Sequence, residues 1–143
     1  MGHQTAAALN TILPILIDSR RGYEMALSLA EDDYVHKAKF AKKLAECQAM
    51  ILEYQAHVRL QGEEPKDEGG PLGGLHRMLT GMSANFGSEE ETALKAIDEG
   101  EAFLVQACET ELEKDDVDDI GRQLLKQALS SARSGEAYAE AKA

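Results

Sequence analysis

The chain has no tryptophan and only seven aromatic residues, four Tyr and three Phe, in 143. That scarcity argues against a sandwich or barrel of aromatic-rich strands. Two cysteines are too few for a disulfide framework or a four-cysteine zinc site. Long apolar runs are missing as well. The longest near the start, residues 12–17, contains Pro14 and stops at Asp18. It is far too short to span a bilayer, and no basic leader or small-residue cleavage site accompanies it. A cytoplasmic protein with no membrane role is therefore expected. A basic surplus is also absent: 15 Lys and Arg stand against 26 Asp and Glu, a net charge of −11. Phosphate binding needs a basic face, so nucleic acid and anionic membranes are not expected partners.

What is present is an ordinary globular composition, 43% apolar and 29% charged. At 143 residues the chain is long enough for one domain with its own core, expected to span 1–143. Apolar residues recur at spacings of three and four, as one helix face requires. Over about 5–31 the stripe is Leu9, Ile12, Leu16, Tyr23, Ala26 and Ala30. Pro14 lies inside it, so the helix either starts near Thr11 or starts earlier and kinks. Asp32 and Asp33 supply a turn and a cap. A second helix is expected over 34–61, on the stripe Phe40, Leu44, Cys47, Ile51, Tyr54 and Val58, with Gly62 closing it.

Residues 62–88 change character. Glu63-Glu64-Pro65, Gly69-Gly70-Pro71 and Gly73-Gly74 are turn chemistry, and 75–86 has room for one short helix. Ser88 and Glu91 form a capping box for a third helix over 89–114, with Leu94, Ile97, Leu104 and Cys108 inside. A fourth is expected over 117–141, facing inward with Ile120, Leu124, Ala128 or Leu129, Ala132 and Tyr138. The expected fold is all-α, a four-helix bundle. A 25-residue helix is roughly 37 Å long, and the middle connection can run back along that length. Helices 2 and 3 would then be parallel, the ferritin-like arrangement with one long crossover. The alternative is an up-down-up-down bundle with the connection folded over one end.

The order of several short motifs resembles a family of uncharacterised bacterial ferritin-like four-helix-bundle proteins, often discussed with general-stress proteins. The motifs are Leu9-Asn10, Gly22-Tyr23-Glu24, Glu46 and Glu53, Gly62-Glu63-Glu64-Pro65, Leu72-Gly73-Gly74-Leu75-His76-Arg77 and Glu99-Gly100-Glu101. The resemblance covers nearly the whole chain. It implies a Trp soon after His76-Arg77 and a His near position 136; this chain has no Trp and carries Glu136. The family has no established activity to carry over. Some of its fold relatives are diiron carboxylate proteins.

Such a centre draws carboxylates from all four helices and two Glu-x-x-His pairs, because i and i+3 share a face. No Glu-x-x-His occurs here; the nearest pair is Glu53 and His57, four apart. Glu101 interrupts an apolar stripe where a hydrophobe is expected, and a buried carboxylate is costly unless paired, protonated or metal-bound. Candidate ligands for iron or manganese are Glu24, Glu53, His57, Glu101 and Glu136, with Glu46 and His76 as further candidates. Level tells against them. Glu46 stands roughly 7 Å further along the axis than Glu24, and Glu136 is offset roughly 9 Å from Glu101. Ordinary pairing with Arg20, Lys43 or Arg133 accounts for most of these carboxylates.

Cys47 and Cys108 fall on inner stripes rather than at helix N-termini, the pattern of small buried hydrophobes rather than redox thiols. Gly69–Gly74 lacks the ending of a phosphate loop. The acidic run 109–116 has the pattern of a solvated helix end. The sequence thus favours a noncatalytic bundle with a structural or stress-related interaction role, acting as a homodimer or with a protein partner. A carboxylate-bridged metal protein with oxidase-like or ferroxidase-like chemistry is the alternative. An acidic adaptor for a basic partner is the third reading.

Overall fold

A computed structural model describes residues 3–29, 34–70 and 89–142. Its described residues form four helices and no strand: α1 (His3–Leu29), α2 (Tyr34–Leu60), α3 (Glu89–Leu112) and α4 (Asp119–Lys142). All four fall within a few residues of the expected spans. The Asp32-Asp33 cap, the short helix expected over 75–86, Ser88 and His76 lie outside the described residues. No described helix is long and apolar enough to cross a membrane.

The two alternatives at Pro14 resolve to the earlier start. α1 runs unbroken from His3 with Pro14 inside it. Leu9, Ile12, Leu13 and Leu16 are all fully buried around that proline. Packing on both sides holds a helix that the missing backbone donor alone would weaken. α2 ends where Gly62 takes a φ of 81°, the left-handed conformation that a glycine adopts without strain.

Chain directions follow from long-range contacts. Thr5 accepts a hydrogen bond from the Asp118 amide, in the turn after α3, while Tyr23, later in α1, meets Glu101 within α3. α1 and α3 are therefore antiparallel. On α2, His36, Lys43 and Tyr54 meet Tyr138, Ser131 and Leu124 in turn, so α2 and α4 are antiparallel too. α1 packs on α2 and α3, α4 packs on α2 and α3, and α2 and α3 do not touch. They stand at opposite corners of the bundle, pointing the same way. The end of α2 and the start of α3 therefore lie at opposite ends of the bundle. The described beginning of the connection runs along α1: Asn10 bonds Glu64 and Lys66, and the Gly70 amide reaches Asp18 two turns further up.

The core comes in two parts. One apolar cluster gathers residues 6–17, 50–58, 104–108 and 117–132 around Leu13, Tyr54 and Leu125. The other gathers Tyr23, Phe40, Leu94, Ile97 and Ala139 at the opposite end. Phe40 stacks on His36 at 5.5 Å and meets Tyr138 edge-on at 6.3 Å, a small aromatic plug at that end. Ile120 is a correction to the expected inner face. It is exposed, and Gly121 takes the inward position, where Thr5 and Val117 leave no room for a side chain. The acidic run also differs from expectation at Glu111, which is buried and paired with Lys114 at 2.8 Å.

Candidate functional site

Between the two apolar clusters lies a polar layer. Each helix contributes: Ser19 from α1, Lys43 from α2, Glu101 from α3, and Ser131 with Gly135 from α4. Two opposite charges are buried here, Glu101 at 3% exposure and Lys43 at 2%. Such burial is tolerated only when the charges are satisfied locally.

Glu101 is satisfied by α1. The Tyr23 hydroxyl donates to its Oε2 at 2.8 Å, and the Ser19 hydroxyl donates to its Oε1 at 3.4 Å. Burial pushes the Glu101 carboxyl up to about 7, against the Tyr23 hydrogen bond, the Lys43 charge and the Ser19 hydroxyl, which all favour its ionised form. Burial, then the neighbouring Glu101 charge, raises the Tyr23 phenol. Lys43 is satisfied by α4 and its own helix. Its ammonium has three N–H groups and three acceptors: the Ser131 carbonyl at 2.6 Å, the Ser131 hydroxyl at 2.8 Å and Glu46 at 3.2 Å. Ser131 in turn donates to Glu46 at 3.0 Å. Burial pushes the half-buried Glu46 carboxyl up, but the Lys43 charge and the Ser131 hydroxyl more than offset it and hold it below its ordinary value.

The layer is tightly closed. A void of about 10 Å³ beside Glu101, lined by Ser19, Gly22, Tyr23, Ala96, Ile97 and Gly100, has room for one water at most. Gly135 lies so close that a Cβ there would sit 2.2 Å from Glu101 Oε2 and 2.5 Å from the Tyr23 hydroxyl. A wider groove of about 660 Å³ runs between α1 and the start of the connection, bordered by Asn10, Pro14, Lys66 and Phe103. It is open to solvent and lies apart from the buried charges.

The sequence-derived ligand set does not converge. Glu24 is exposed and pairs with Arg20 at 3.3 Å; Glu53 is exposed on α2. His57 is buried near the far end of the bundle, where its Nε2 lies 3.2 Å from Asp118. It stands 14 residues beyond Lys43 on α2, roughly 21 Å along the axis. Glu46 does reach the polar layer, through Lys43 and Ser131. Glu136 lies elsewhere, with Asp98 of α3 and Glu140 of α4: one oxygen of each falls within 4.8 Å of the others. The neighbouring Asp98 raises the Glu140 carboxyl, with desolvation and Glu136 adding to it.

The sequence reading missed Lys43 as a core residue. It placed Leu44 on the inner stripe, and Leu44 is only half-buried. The signal was there: Lys43 stands three residues after Phe40 and four before Cys47, so it interrupts its stripe as Glu101 interrupts the other. Tyr23 was placed inside, but its hydroxyl partner could not be read from periodicity.

Cys47 and Cys108 are buried free thiols, as the stripes imply. Burial, with Glu101 as the largest charge contribution, pushes both up to about 12. Neither is expected to react with a disulfide reagent in native protein at pH 8, and both are expected to react once denaturant is added. Rapid titration of either thiol in the native state would contradict this burial.

Comparison with known proteins follows the same outline. Residues 4–114 match the family described as "Domain of unknown function (DUF2383)". The chain belongs to that family. The match takes in α1, α2, the connection and all of α3, hence Tyr23, Lys43 and Glu101 of the polar layer. No curated protein and no solved structure matches the chain.

Proposed function

We propose that this member of the DUF2383 family is a noncatalytic, ferritin-like bundle that works through its outer surface, as a structural or stress-related interaction protein. One observation carries the proposal: the buried polar layer is satisfied by the chain itself. Tyr23 and Ser19 take the two oxygens of Glu101, and Ser131 with Glu46 takes the three N–H groups of Lys43. The adjoining void of about 10 Å³ admits no organic substrate. Charges arranged this way specify one packing of the four helices. The parallel α2 and α3, joined by one crossover, support the ferritin-like relation.

The competing metal reading has its best geometry at Asp98, Glu136 and Glu140 rather than at the sequence-derived set. Incubation of tag-free protein with Fe(II), Mn(II) or Zn(II), desalting and elemental analysis decides between the two. The expected result is no stoichiometric retention and no change in Tm on chelator treatment. One equivalent or more, lost in Glu101→Ala or Glu136→Gln, would overturn the proposal in favour of a carboxylate metal protein.

A further inference from the structure

Among the described residues, the outward face of α2 has no neighbour within the bundle, yet it is apolar. Three large hydrophobic residues lie exposed on it: Val35 at 66%, Leu52 at 68% and Leu60 at 79%. Exposed alanines fill the line between them, at 38, 45, 49 and 56. At 3.6 residues per turn, these alanines and Leu52 fall within about 60° of arc, a smooth ridge on which another helix can pack closely. A solvated helix face carries charged residues along its centre; this one places them on its flanks.

Charge says what fits the ridge. α2 carries five Lys and Arg residues against two Glu, in a chain whose net charge is −11. It is therefore a net-positive element, and the place where two copies approach with least repulsion. The pattern is also self-complementary. A two-fold axis at the helix midpoint, level with Cys47, lays two antiparallel α2 helices over each other along their full length. Ala45 then faces Ala49 of the second copy, Ala38 faces Ala56, and Val35 comes opposite Leu60. Lys42 and Glu53 are both exposed and share one flank of the ridge. In an antiparallel pair like flanks meet, so each Lys42 comes within one residue of the second copy's Glu53, twice per interface.

We infer that the protein forms a homodimer through antiparallel pairing of α2 about its midpoint. The inference rests on the interaction reading above and names its partner as a second copy of this chain. Analytical ultracentrifugation from about 1 to 100 µM tests it. The expected mass is twice the 15.6 kDa chain. Ala45→Arg, at an exposed position, is expected to weaken the dimer by about a hundredfold while leaving helical content unchanged. Lys42→Glu sets like charges face to face and is expected to weaken it about tenfold; adding Glu53→Lys restores the pairing. A monomer at about 100 µM, a dimer indifferent to Ala45→Arg, or a charge swap that fails to restore association would each overturn the inference. Metal retention decides the interaction reading separately, so the two can fail independently.

Discussion

Gly135→Ala is expected to destabilise the protein by about 2–3 kcal/mol, although Gly→Ala inside a helix ordinarily stabilises by up to about 1 kcal/mol. The sign reverses because of what the new methyl group meets. Its carbon would sit 2.2 Å from Glu101 Oε2, 2.5 Å from the Tyr23 hydroxyl and 3.0 Å from the Glu101 carboxyl carbon. Neither side chain can step aside. Glu101 is enclosed by the bundle, and Tyr23 is wedged beside Phe40, with ring centroids 6.3 Å apart. The methyl must either spread α3 from α4 or break the Tyr23–Glu101 hydrogen bond, which leaves a buried carboxyl short of a donor. Urea unfolding checks the value. Ser134→Ala, one residue away on the exposed side of α4, serves as a control and is expected to be neutral or slightly stabilising. A Gly135→Ala protein as stable as that control would mean that the layer is looser than the distances imply.

The bundle was largely legible in the sequence because helix periodicity is local. The stripes Leu94, Ile97, Leu104, Cys108 and Phe40, Cys47, Tyr54, Val58 are all buried as expected. Gly62 closed α2 by a backbone property visible in the residue alone. Errors arose where a neighbour decides. Ile120 satisfies the helical spacing, but the phase of α4 is set in part by Thr5 against Gly121, a contact between chain segments far apart in sequence. Pro14 presented two equal alternatives, and burial of the leucines around it, a tertiary effect, selected between them.

The site was half legible. Glu101 announced itself by standing in an apolar stripe, and so did Lys43 once its spacing to Phe40 and Cys47 is considered. What no stripe reveals is height along the axis and the direction in which a long side chain turns. Lys43 reaches across to Ser131 on α4, and Glu101 turns to Tyr23 on α1. Glu24, Glu53 and His57 share helix positions compatible with a centre, but their side chains lead outward or to the far end of the bundle. Asp98 and Glu140 lay unremarked beside Glu136 because their proximity depends on how α3 and α4 are aligned.

Glu101→Gln is expected to change the pH dependence of stability more than any other single substitution in the polar layer. The Glu101 carboxyl is raised from 4.5 to about 7 in the folded protein. A raised acid binds its proton more tightly when folded, so the folded state gains from protonation. Below about pH 4.5 the group is protonated folded and unfolded, and it exacts no penalty. Between pH 4.5 and 7 the unfolded chain ionises first, so stability falls as pH rises; above 7 the loss is complete. At 1.36 kcal/mol per unit, the full penalty is roughly 3 kcal/mol. Glutamine keeps the geometry: its carbonyl accepts from Tyr23, and its amide donates to Ser19. The substitution should therefore be close to neutral near pH 4.5 and stabilising by roughly 2–3 kcal/mol at pH 8. Subtracting wild type from variant at each pH cancels the titration of every other carboxylate that the change leaves alone. A difference that stays constant between pH 5 and 8 would show that Glu101 is ionised throughout, the Tyr23 hydrogen bond, the Lys43 charge and the Ser19 hydroxyl together outweighing burial. The Tyr23 hydrogen bond and the Lys43 charge would then be what hold a charged Glu101 between the helices.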